Sequence, residues 1–346
     1  MNEEARSVHI GHRDYYLQLA EQADAAWRTG QHEHWLERVD DDADNFRAAL
    51  EWSKSRPDDS AALTRLTVAL ARYWEFTGRF TEARQWVEDA LAEPAPPEQR
   101  IRALIAGAQL ASYLGDFAAA DALLGEGRDL AKQHGDRHGE ALVATHRGHV
   151  ALTRGDFSAA VAAHTDGLAR WRNLGDHEQI ADSLNQLGMA ALLQGDLPAA
   201  GGRLEEALTL CRTVDTPFHL ADALQALGFV RFLMGDPKSA LPLLAEGLTL
   251  FHRLGAQPQV ATGLDEYAFV AGTLGHPMEA ARLLGAAAAL RERIGIPRPA
   301  AYDHFYEQLL SGLRTALGVD VLREALASGG ELRADEAVAL ATAFGA

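Results

Sequence analysis

The chain repeats itself every 40 residues. Leu114-Gly115-Asp116-Phe117, Arg154-Gly155-Asp156-Phe157, Gln194-Gly195-Asp196-Leu197, Met234-Gly235-Asp236-Pro237 and Leu274-Gly275-His276-Pro277 begin 40 positions apart each time. A second series of breaks falls midway: Gly135-Asp136, Gly175-Asp176, Asp215-Thr216-Pro217, Gly255 and Gly295. Each unit therefore has two arms.

Gly-Asp at such a point is a helix stop followed by a helix start. Glycine enters the left-handed conformation beyond a helix end without Cβ strain, and aspartate accepts from the unpaired N–H groups of the next first turn. Pro237 and Pro277 fall at the first helical position, where a missing N–H costs nothing. About 16 residues remain for each arm, a rod of roughly 24 Å. Helical pairs this short bury their apolar faces only by stacking on one another, so the expected fold is an all-α solenoid of about six helix pairs with helical caps.

Small residues mark where the arms touch. Gly148, Gly188, Gly228 and Ala268 recur in the first arm, with Leu184, Leu224 and Leu264 four positions upstream. Ala120, Ala160, Ala200, Ala240 and Ala280 recur in the second. The arrangement resembles the tetratricopeptide repeat, stretched beyond its usual length, and the resemblance implies a right-handed superhelix.

The expected limits are an N-terminal helical cap over 1–60, a solenoid over 61–296 and a C-terminal helical cap over 297–346. Trp27, Trp35 and Trp52 make the first block bulky, and Trp74 and Trp86 follow it. Two helices are predicted there, about His12 to Thr29 and His34 to Ser55, with Gly30 between them and Arg56-Pro57-Asp58 ending the second. Pro94-Ala95-Pro96-Pro97 reads as a connector between helix pairs.

Charge and cysteine usage narrow the partners. Forty-nine Asp and Glu against 32 Lys and Arg give a net charge of −17, which disfavours direct binding to nucleic acid or an anionic membrane. Cys211 is the single cysteine, so no intrachain disulfide forms and a cytoplasmic location is expected. Met1-Asn2-Glu3-Glu4 lacks the basic and apolar regions of a signal peptide, so none is expected, and no apolar run approaches membrane-spanning length.

Trp35-Leu36-Glu37-Arg38 and Asp44-Asn45-Phe46-Arg47-Ala48-Ala49-Leu50-Glu51-Trp52 resemble the start of the C-terminal tetratricopeptide region of bacterial LuxR-type and SARP-like STAND NTPase regulators. Ala281-Arg282-Leu283-Leu284-Gly285-Ala286-Ala287, with Asp335-Glu336-Ala337-Val338-Ala339-Leu340, resembles its end. The resemblance implies a module that receives an inducing ligand or partner and is tethered to a nucleotide-binding domain, often with a DNA-binding one. The chain itself has neither a G-x-x-x-x-G-K-[ST] loop nor a basic recognition helix, so ATP and DNA binding are not carried over.

Three local patterns invite sharper readings. Asp40, Asp42, Asp44 and Glu51 match calcium-loop spacing, but Asn45 replaces the turn glycine and Phe46, Ala49, Leu50 and Trp52 continue a helical stripe, so an acidic helix start is expected. His138, His146 and His149 share an arc of one helix, with His164 in the paired helix. No cysteine or Glu-flanked His-x-x-x-His accompanies them, which favours packed or groove-facing histidines over a zinc site. Cys211 follows Leu208 and Leu210 as a buried small residue. No nucleophile elbow or phosphate loop appears, so neither an enzyme nor a cofactor is expected.

One stripe of the first-arm helices remains as a candidate site. Six before, three before and one after the small seam residue, successive units place Arg102, Ile105, Gln109; Leu142, Thr145, His149; Asp182, Asn185, Met189; Asp222, Gln225, Phe229; and Thr262, Asp265, Phe269. The tetratricopeptide resemblance puts this stripe in a concave groove. The candidate groove residues are Gln109, Thr145, His149, Asp182, Asn185, Met189, Asp222, Gln225, Phe229, Asp265 and Phe269. Amides and carboxylates beside a Met189, Phe229, Phe269 ladder suit a peptide, a protein or a small effector. The competing reading makes that ladder core. The expected function is a non-enzymatic interaction and sensing module of a bacterial transcriptional or signalling regulator; the alternative is a free-standing adaptor.

Overall fold

The computed structural model describes residues 3–26, 32–56, 60–214, 216–296, 298 and 302–343. Among these residues the regular structure comprises eighteen α-helices and no strand. The chain forms two compact units, 1–190 and 191–346. Helices α1 (Glu3–Ala26), α2 (His32–Asp41), α3 (Ala43–Lys54), α4 (Ser60–Phe76), α5 (Phe80–Ala92), α6 (Pro97–Tyr113), α7 (Phe117–His134), α8 (Arg137–Arg154) and α9 (Phe157–Leu174) lie in the first unit, and α10 (His177–Leu193) begins there. The second holds α11 (Leu197–Cys211), α12 (Pro217–Leu233), α13 (Pro237–Arg253), α14 (Gln257–Thr273), α15 (Pro277–Ile294), α16 (Asp303–Leu317), α17 (Val319–Gly330) and α18 (Ala334–Ala343). The twelve helices α4 to α15 fall over 60–294, against the 61–296 expected for the repeats.

The punctuation has the expected geometry. Gly115, Gly135, Gly155, Gly175, Gly195, Gly235, Gly255, Gly275 and Gly295 all have positive φ, between 65° and 87°. At the Gly155 break the Asp156 N–H donates back to Ala151 O at 2.9 Å, and the Asp156 carboxylate accepts from Ala159 N–H at 3.0 Å. Asp116, Asp136, Asp176, Asp196 and Asp236 cap the following helix in the same way. Asp215 lies outside the described residues.

The N-terminal block departs from the expectation in two places. Helix α1 starts nine residues earlier than His12, at Glu3. The helix predicted from His34 to Ser55 is broken at Asp42 into α2 and α3. Asp42 is occupied there as an acceptor, from Tyr16 Oη at 3.1 Å and Asn45 Nδ2 at 3.0 Å, and such side-chain bonds compete with helical continuity. Asp40 accepts from Tyr73 Oη at 2.7 Å, so two carboxylates of the calcium-like spacing are bonded within the protein. Trp27, Gly30, Pro57 and Asp58 lie outside the described residues.

Unit 1 buries Leu50, Leu66, Trp74 and Trp86 in one cluster and Ile101, Leu124 and Val143 in another. Unit 2 has its largest core around Leu244, Phe251, Leu264, Tyr267, Leu283 and Leu284, joined by Leu313, Leu322 and Val338 of the C-terminal helices. Helix α17 rides directly on the α15 backbone: a Cβ on Gly285 would lie 2.0 Å from Leu326 O, and one on Gly329 would lie 2.0 Å from Arg282 O.

Candidate ligand-binding strip

The stripe resolves into three rows with different surroundings. The leading row, Arg102, Leu142, Asp182, Asp222 and Thr262, is exposed or half-buried. The middle row, Ile105, Thr145, Asn185, Gln225 and Asp265, is buried throughout, none of its members being more than 7% exposed. The trailing row differs between the units: Gln109, His149 and Met189 are half-buried in unit 1, whereas Phe229 and Phe269 are buried in unit 2.

Two members of the middle row bond to the second helix of their own pair, whereas the Gln225 amide lies beside Gly263 of α14, where a Cβ would come within 3.1 Å of its Oε1. Thr145 Oγ1 accepts from Trp171 Nε1 at 2.9 Å, and 120 residues later, at the same repeat positions, Asp265 accepts from Arg291 Nη1 at 2.7 Å. Each donor stands 26 residues after its acceptor, and Ala131, Cys211 and Phe251 fill the equivalent buried position in the other repeats. One slot therefore holds an indole with a hydroxyl in one repeat and a guanidinium with a carboxylate in another. The two members of the ion pair are 7% and 2% exposed. Despite that partner, burial dominates and raises the Asp265 carboxyl to about 6.

In unit 2 the trailing row lies beneath α16. The Tyr302 ring, at the N-cap of that helix, stacks on Phe229 at 5.3 Å and on Phe269 at 6.1 Å, and Phe305 meets the same two rings at 5.5 and 5.9 Å. Phe229 and Phe269 are themselves 6.4 Å apart. Tyr302 Oη donates to Glu266 Oε1 at 2.7 Å. Glu266 is buried, and burial pushes its carboxyl up to about 8, against the lowering effect of the Tyr302 hydrogen bond. A cavity of about 670 Å³ continues from these rings, lined in part by Phe232, Phe269, Thr273, Phe305 and Leu309.

Unit 1 has no such cover over its strip residues in the described chain. The groups that act on His149 and its neighbours are Arg72 of α4, Asp182 of α10 and the histidines of α8 and α9, and the Arg72 charge also bears on Glu75 of α4 and Tyr113 of α6. Tyr113 Oη donates to the Glu75 carboxylate, and burial raises the Glu75 carboxyl. The Arg72 charge bears on His146 and His149, and that of Asp182 on His149 and His164, so side chains of α4, α8, α9 and α10 converge here. His138 stands apart, edge-on to Trp171 at 5.1 Å. Among the described residues no group of three or more His, Cys, Asp or Glu is placed to hold a metal ion. Cys211 is buried, and burial raises its thiol. Arg72, Glu75, Tyr113, Tyr302 and Phe305 escaped the sequence reading, because Arg72 and Glu75 lie outside the 40-residue register, Tyr113 is in register but off the chosen stripe, and the last two lie outside the repeats.

Residues 139–213 match the tetratricopeptide repeat family. No curated protein matches the chain. Among solved structures, the chain is similar to a signal-transduction ATPase with numerous domains from Pyrococcus horikoshii that carries a tetratricopeptide-repeat sensor. Identity is 14% and the TM-score 0.62, and the match covers 94% of this chain and 52% of that one. It is also similar to a Rap protein solved with competence and sporulation factor, with 12% identity, a TM-score of 0.54 and coverage of 92% and 99%. The apo quorum sensor NprR from B. thuringiensis gives 14% identity, a TM-score of 0.51 and coverage of 93% and 85%. No helix among the described residues is long and apolar enough to cross a membrane. The chain spans about half of the ATPase, and what it shares with these proteins is the fold: an all-α solenoid of tetratricopeptide type.

Proposed function

We propose that this chain is a non-enzymatic interaction and sensing module of a bacterial signalling or transcriptional regulator, tethered in the full protein to a nucleotide-binding domain. It takes a peptide, protein or small effector on the unit 1 strip, through Gln109, His149, Asp182 and Met189. The observation that carries this reading is the contrast within the trailing row. Phe229 and Phe269 are already covered by Tyr302 and Phe305, whereas Gln109, His149 and Met189 keep part of their surface open beside polar groups. Mixed apolar and polar surface of this kind supplies affinity and orientation together. The likeness in fold to a protein solved with a bound factor and to an ATPase whose repeats are a sensor supports the same reading.

Partner capture on the immobilised full chain tests it. Gln109→Ala and Met189→Ala should each weaken the captured complex by about 1–3 kcal/mol while leaving the urea midpoint near its original value. Unchanged binding with unchanged stability would place the partner elsewhere. Intact-mass measurement of the endogenous protein tests the tether: a mass above that of 346 residues is expected.

A further inference from the structure

Three histidines meet inside unit 1. His146 and His149 project from α8 with ring centroids 5.2 Å apart and planes at 88°, and the His164 ring of α9 lies 5.2 Å from that of His149. His164 is fully buried and seated against Gly148, where a Cβ would come within 2.5 Å of three of its ring atoms. Four ring nitrogens, Nδ1 of His146, Nε2 of His149 and both of His164, are buried without a hydrogen-bond partner. Orphaned polar atoms are uncommon in protein interiors and ask for a reason. His146 and His149 are only half-buried, and His149 is itself a residue of the candidate strip.

The charges around the cluster define what it accepts. Arg72 of α4 is exposed and in no ion pair among the described residues, and its charge reaches His146 and His149. Glu75 of α4 is occupied by Tyr113 of α6. Asp182 of α10 faces the His149 and His164 side. Burial holds all three imidazoles below their ordinary range, so the cluster is neutral. Among the described residues the local environment thus presents the Arg72 cation, whose charge also bears on Glu75 and Tyr113, and two neutral imidazoles that an added anion would help to protonate, within a chain whose net charge is −17.

We propose that the His146–His149–His164 cluster, with Arg72, is the subsite for a carboxylate of the effector, and that the carboxylate binds with uptake of a proton from solvent. This rests on the reading that the unit 1 strip binds an effector. An anion at the strip edge stabilises an imidazolium on His146 or His149 and offsets its desolvation. The imidazolium has an N–H on both nitrogens, so the outer one donates to the carboxylate and the inner one can donate to a neighbouring ring lone pair. The only covalent change is the new N–H bond.

The test uses the full chain with 15N-labelled histidine, titrated near pH 6.5 with sodium acetate, with acetamide, and with a capped acidic tripeptide. Acetate should move the His146 and His149 ring signals saturably and raise their pKa, while acetamide leaves them in place. Arg72→Gln, at an exposed position, should weaken the acetate effect about tenfold, the usual order for a lost charge-assisted contact. Tripeptide binding tighter than acetate identifies a peptide carboxylate, and equal binding identifies a small carboxylic acid. Rings unmoved by acetate, or moved equally by acetamide, would mean that water serves the orphaned nitrogens and would overturn the proposal. Partner capture that survives both Arg72→Gln and His146→Asn would also overturn it while leaving the strip reading intact; loss of capture in Gln109→Ala is the separate test of the strip.

Discussion

Glu266 and His164 give the two units opposite responses to pH. The Glu266 carboxyl rises from 4.5 to about 8 on folding, so the folded chain holds this proton more tightly than the unfolded one. Its contribution to stability is full below pH 4.5 and is lost as the pH rises through about 8. Urea midpoints of unit 2 should fall across that window, and Glu266→Gln should flatten the slope. His164 moves the other way, from 6.5 to about 3, because burial disfavours its cation. Its contribution is full above pH 6.5 and is lost as the pH falls towards 3. His164→Leu should lower the acid midpoint of unit 1, read by circular dichroism. Phe229 has a different kind of role at this scale: enclosed by Phe269, Tyr302 and Phe305, it should cost about 3–5 kcal/mol of folding stability as Phe229→Ala.

Helices in this chain are positioned by what their contact faces omit. Gly148 leaves room for the His164 ring, and Gly285 with Gly329 brings α15 and α17 to backbone contact. Gly285→Ala puts a methyl 2.0 Å from Leu326 O, and because a carbonyl cannot rotate away as a side chain can, α17 must lift. Overpacking of this kind costs about 1–3 kcal/mol or more. Limited proteolysis should show earlier cleavage within 318–343 in that variant than in the parent. Asp156→Ala removes the acceptor for Ala159 N–H at the start of α9 and should cost about 0.5–2 kcal/mol, as N-cap losses do.

For the whole molecule, two compact units built from stacked helices imply that stability is organised locally. Substitutions distant from each other with no shared partners add almost independently. Hydrogen exchange should therefore report the change in protection within 1–190 for His164→Leu and within 191–343 for Glu266→Gln, and the double variant should show the sum. Loss of protection throughout the chain from either single substitution would indicate one cooperative unit instead.

The helices, their breaks and their pairing were legible in the sequence because they depend on local chemistry. Left-handed glycine, a capping aspartate and a small residue at a seam act within a few positions of themselves, and a 40-residue repetition states each signal several times. The break at Asp42 was missed because its cause, the Tyr16 hydroxyl, lies 26 residues away. The same holds at the strip. Periodicity assigned Thr145, Asn185, Gln225 and Asp265 to one face, but what buries them is set by other helices: Trp171 and Arg291 stand opposite Thr145 and Asp265, and Gln225 lies against Gly263 of α14. Phe229, Met189 and His149 share a repeat position, yet only tertiary structure places Tyr302 and Phe305 over Phe229 and leaves His149 half-open above His164. A helical period records the direction a side chain leaves its own helix; what it meets there is decided by elements outside the period.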